Sequence, residues 1–144
     1  MVTDKIFAMD SFEPDLPPRI YFPLPVLTNR QEIEELLVHG SVEELLILSL
    51  ALGEHFPDWK YAQDVCLRIA EHPSEGVRAN ACLALAYIAR TKQRLEKHLV
   101  KSILLRELRA QTEFRWRIED AVSDINYYLE WHLGFKHEMS EKSN

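Results

Sequence analysis

Asp120 and Asp124 are the one carboxylate pair in this sequence that combines helical spacing with an aromatic setting, lying between Trp116 and Tyr127. Carboxylates one helical turn apart can share a proton and do acid/base work where a pocket shields them from water. No signal of such a pocket surrounds them. The sequence holds no glycine-rich phosphate loop, no Gly-x-Ser-x-Gly elbow and no His-Glu-x-x-His helix. His39, His55, His72, His98, His132 and His137 fall mostly at predicted helix ends, where imidazole can meet terminal carbonyls and the negative pole of the helix dipole. His132, His137 and Glu138 lie near one another in sequence, but a metal site needs more convergent ligands than these. Cys66 and Cys82 sit inside apolar helical patterns and outside any Cys-x-x-Cys pair, which makes them small buried hydrophobes. The expectation is a protein that is not an enzyme and carries no cofactor and no metal.

The same carboxylates suit binding better than catalysis. At about 100° per residue, Phe114, Ile118, Ala121, Val122, Ile125 and Leu129 gather on one side of a helix, while Trp116, Asp120, Asp124, Tyr127 and Trp131 gather nearly opposite. Aromatic side chains supply desolvated anchors and carboxylates supply steering, so this second side fits a cationic, partly apolar protein partner. Tyr87 and Arg90, on the helix predicted to precede this pair, border the same face. The competing reading packs Trp116, Tyr127 and Trp131 against the N-terminal segment or the neighbouring helix, burying a second face of a long helix.

Positioning that face requires a helical scaffold, and the punctuation supplies one. Pro14, Pro17, Pro18, Pro23 and Pro25 keep the chain extended up to residue 27. Interleaved apolar residues such as Leu16, Ile20, Phe22 and Leu24 make this arm, residues 1–27, a cover for apolar helix surface. A single helical-repeat domain is expected over residues 28–135, followed by a flexible tail over 136–144. Asn29 with Glu32 opens a helix that ends at Gly40, and Ser41 with Glu44 opens another over Val42 to His55. Asp58 caps a helix running to about His72, and Ser74 caps the next, from Glu75 to about Thr91. The last two are expected from about Leu95 to Ala110, with Leu99, Ile103, Leu104 and Leu108 as its apolar stripe, and from Thr112 to about Leu133. The second helix is apolar nearly all round, and the arm is its expected cover.

Six helices in three pairs repeat one another. Val42, Leu46, Leu50 and Ala51 align with Val77, Ala81, Leu85 and Ala86 at a shift of 35, and the third pair's inner helix begins about 39 residues later. The stretch Val77, Arg78, Ala81, Leu85, Ile88 and Ala89 after Pro73 resembles the HEAT-repeat pattern of a proline-ended outer helix followed by Val-Arg and small or aliphatic residues. That resemblance implies an all-α, right-handed stack of about three antiparallel helix pairs, with an irregular helical bundle as the alternative.

Composition narrows the function. The net charge of −6 divides into 14 acidic against 5 basic side chains over residues 1–76 and 9 against 12 over residues 77–144. The acidic half argues against a general nucleic-acid binder and suits a basic partner. No apolar run is long enough to span a bilayer and no leader pattern opens the chain, so a soluble, cytoplasmic protein is expected, with a monomer favoured and the oligomeric state left open. Small acidic helical domains of this kind resemble bacterial immunity proteins of the contact-dependent growth inhibition type. The resemblance implies a cognate toxin as partner, expected to be a basic nuclease domain, neutralised by occlusion of its active-site cleft. Two alternatives stand beside it. One is a HEAT-like adaptor or assembly factor for an endogenous protein. The other is a nucleic-acid reader using Arg106, Arg109, Arg115 and Arg117 as a phosphate-facing cluster, although these can equally be ion-paired, for instance with Glu113 and Glu119.

Overall fold

Four side-chain caps set the helix starts. Asn29 Oδ1 accepts from the Gln31 and Glu32 amides, Ser41 and Glu44 form a reciprocal capping box, Asp58 accepts from Lys60 and Tyr61, and Ser74 accepts from Val77. A computed structural model describes residues 29–133 of the protein. Its helices are α1 (Arg30–His39), α2 (Val42–His55), α3 (Trp59–Ile69), α4 (Glu75–Lys92), α5 (Lys97–Ala110) and α6 (Arg115–Leu129). The described residues are all-helical apart from turns and short connections. The arm and the tail lie outside them.

The helices form a two-layered stack. The inner layer is α2, α4 and α6, with α4 packed extensively on both of the others, and α3 and α5 pack outside it. Cross-links fix the sense of the inner layer. Asn80 Nδ2 donates to the Leu46 carbonyl, and Thr91 Oγ1 donates to the Gly53 carbonyl, so α2 and α4 advance in the same direction. With α2 and α4 parallel and joined through α3 by short turns, α3 must run opposite to both. Leu48 and Leu52 of α2, Leu85 and Ile88 of α4, Leu104 and Leu108 of α5, and Ile118 and Ile125 of α6 meet in one buried core.

The ends of three helices differ from the sequence reading. Pro73 was expected to end α3 near His72, but α3 stops at Ile69 and the chain turns through tighter bonds from Glu71 to Arg68 and from His72 to Ile69. α5 begins at Lys97 instead of about Leu95, because the Glu96 amide is drawn to Gln63 Oε1 at 2.6 Å. Its core stripe is therefore Val100, Leu104 and Leu108, and Leu99 is exposed. α6 begins at Arg115, where Thr112 Oγ1 accepts from Phe114, and ends at Leu129 because Glu130 adopts a left-handed conformation at φ 56°. No helix of the described residues is long and apolar enough to cross a membrane.

Long-range polar bonds tie the layers together. Across the outer layer, Arg68 grips both Glu34 oxygens at 2.8 and 2.9 Å, and Tyr61 donates to the same carboxylate at 2.6 Å. The bond holds the Glu34 carboxyl down at about 2, chiefly through Arg68 and then Tyr61, and burial followed by the Glu34 bond raises Tyr61 to about 12. Between the second and third pairs, the buried Glu107 lies between Arg78 at 3.1 Å and Arg106 at 3.1 Å. Arg106 also reaches Glu71 and the Ala70 carbonyl.

Candidate functional site

The two faces expected on the last helix are present in α6. Ile118, Ala121, Val122 and Ile125 are buried, with Phe114 and Leu129 half-buried beside them. On the other side Trp116 is 57% exposed and Tyr127 77% exposed, and both Asp120 and Asp124 are exposed. The orientation follows from the flanking arginines. Arg117 reaches Asn80 of α4, and Arg115 reaches the Leu108 carbonyl of α5, so the core lies between those two directions and the stripe points away from it. Large aromatic rings left in water on an otherwise well-packed helix mark an interaction surface more often than scattered single hydrophobes do.

Trp131 is not brought to this stripe. It follows the left-handed Glu130, which ends the helical spacing two residues earlier, and it packs half-buried against the core. Lys97 sits 5.7 Å from its ring centroid, and the ring lines a cleft of about 450 Å³ with Trp59, Arg94 and Leu129. Tyr87 belongs to the seam between α2 and α4. It is half-buried, and Arg90, paired with Glu54, lies 4.9 Å over its ring. The residues on α6 itself are thus Trp116, Asp120, Asp124 and Tyr127, with the Tyr127 ring set edge-on to Tyr128 at 5.0 Å.

Three of the four arginines that could form a phosphate-facing cluster are engaged by partners within the fold. Arg106 is held by Glu71 and Glu107, Arg115 by Glu119 at 2.9 Å, and Arg117 by Asn80 Oδ1 at 2.6 Å. Asn80 is the residue that sequence reasoning missed. It is 8% exposed, donates to Leu46 of α2 and accepts from Arg117 of α6, so one amide links all three inner helices. Its signal was legible as the one amide within the small and aliphatic run from Val77 to Ala89. Such a side chain needs buried partners.

Comparison with known proteins gives a fold likeness. No family model and no curated protein matches the chain. A solved chain does: "Crystal structure of CDI complex from Cupriavidus taiwanensis LMG 19424" shares the fold with a TM-score of 0.65 at 20% identity, over 76% of this chain and 97% of that one.

Proposed function

We propose that this chain is an immunity protein that binds a cognate toxin through the exposed face of α6 and neutralises it by covering its active-site cleft. The observation that carries the reading is the stripe of Trp116, Asp120, Asp124 and Tyr127, aromatic and acidic at once and left open to water by a helix whose other side is fully packed. The fold likeness to a chain of a CDI complex supports it, since contact-dependent growth inhibition pairs a toxin with a protein that blocks it. The charge pattern favours a basic toxin domain, for which a nuclease cleft built to hold phosphates is the fitting class. We read the stack as HEAT-like, with the inner layer presenting the contact face and Tyr87 at its border.

The test is co-purification with the product of the gene immediately upstream, followed by Trp116→Ala. Removing this anchor is expected to lower affinity by about 2 kcal/mol or more. Stability should change by no more than about 1 kcal/mol, the scale of the ring's exposed contact with Arg117. Absence of a complex, or a large loss of melting temperature with affinity retained, overturns the proposal.

A further inference from the structure

Arginine is usually matched by a carboxylate in this fold. Arg30, Arg68, Arg78, Arg90, Arg106 and Arg115 each hold one, from Asp58, Glu34, Glu107, Glu54, Glu71 and Glu119. Arg117 does not. Of its five N–H donors, one on Nη1 is given to Asn80 Oδ1, and the others meet no acceptor among the described residues. Phe114 and Trp116 both lie against its guanidinium, each ring centroid 5.1 Å from Cζ.

This setting leaves a shaped vacancy in the chemistry. Phe114 and Trp116 crowd the ion, and the part of its N–H fork not given to Asn80 matches a two-oxygen acceptor. Half-burial strips water from the cation and lowers its proton affinity, which strengthens any counter-charge that arrives. A run of phosphates would carry its negative charge on to Asp120 and Asp124 along the same helix. A single carboxylate would not.

We infer that Arg117, fixed by Asn80 and framed by Phe114 and Trp116, is a receptor for one carboxylate side chain of the protein partner. The inference rests on α6 being the contact face and deepens that reading. The partner surface is basic opposite Asp120 and Asp124 and carries one acid in register with the first turn of α6. That acid distinguishes the cognate partner from other basic proteins, because a partner lacking it leaves a desolvated cation unpaired.

The full chain, labelled with ¹⁵N-arginine and assigned through its backbone, tests this without the partner. Sodium acetate is titrated against sodium chloride at equal ionic strength, and sodium phosphate is run as a separate arm, following the Arg117 Nε–Hε resonance. Arg94, exposed over Trp59 at 5.0 Å, serves as the reference for an ordinary surface guanidinium. The expected result is a saturating acetate shift at Arg117 with a midpoint at least about tenfold lower than at Arg94, a difference of about 1.4 kcal/mol. A linear response equal to that of Arg94, or the same shift with chloride, overturns the receptor. Saturation by phosphate but not acetate overturns the carboxylate assignment. Because no partner is present, failure here leaves the co-purification result standing, and failure to co-purify leaves this titration standing.

Discussion

Glu34 shows how one side chain can join two helices of the stack. Its carboxylate accepts from Arg68 and from the Tyr61 hydroxyl, and its folded pKa falls from 4.5 to about 2. A depressed carboxylate contributes stability that is fully present above pH 4.5 and is lost as pH falls through about 2. The Glu34 side chain is 44% exposed, so solvent screening discounts this to about 1 kcal/mol or less. Glu34→Gln is expected to lower the melting temperature at pH 7 by a few degrees and to flatten its dependence between pH 4.5 and pH 2, read by scanning calorimetry across that window. Equal slopes in the two proteins would mean that the bond adds nothing to folding. None of these three residues announces its partners in sequence, since Glu34 lies 34 positions from Arg68 and 27 from Tyr61.

At the scale of the helices, α2 and α4 approach closely at Gly53, whose missing side chain makes the contact possible. A Cβ there would lie 2.5 Å from the Ala84 carbonyl oxygen and 2.9 Å from the Tyr87 Cβ. Alanine would gain about 1 kcal/mol of helix propensity, yet forcing the helices apart costs about 1–3 kcal/mol and misplaces Tyr87. Gly53→Ala should therefore lower stability by up to about 2 kcal/mol in urea unfolding, with helix content by circular dichroism unchanged. A stabilised variant would show that the seam yields. Helix boundaries without a side-chain cap or glycine were the less legible ones. Gln93, Gln111 and Glu130 take left-handed conformations at φ 56°, 51° and 56°, where glycine would ordinarily signal a stop. That substitution for the usual signal is why α6 was read through to Leu133 and Trp131 was placed on its face.

Across the whole molecule, charge and shape act together. The chain carries −6 overall, and the stripe on α6 adds Asp120 and Asp124 to a surface suited to a basic partner. Reversing both to Lys should slow association by tenfold or more at low ionic strength and flatten its salt dependence, with a smaller effect on dissociation; about 10–10³ is the range that steering spans. Stopped-flow mixing with the co-purified partner from about 20 to 500 mM salt measures it, since screening shortens to about 3 Å at 1 M. An unchanged association rate would remove electrostatic steering from the proposed mechanism.

The sequence by itself determined the helical class, the four side-chain-capped starts and the two opposed faces of α6, because caps and a 3.6-residue period are local properties. Asn29, Ser41, Asp58 and Ser74 cap where their residue types say they should. The exposure of Trp116 and Tyr127, the retreat of Trp131 to the cleft beside Lys97, and the Leu46–Asn80–Arg117 ladder were decided by tertiary structure. The Trp131–Lys97 contact and the ladder join residues more than 30 positions apart in chain, and local pattern carries no record of which neighbour will satisfy a buried amide or leave a cation unmatched.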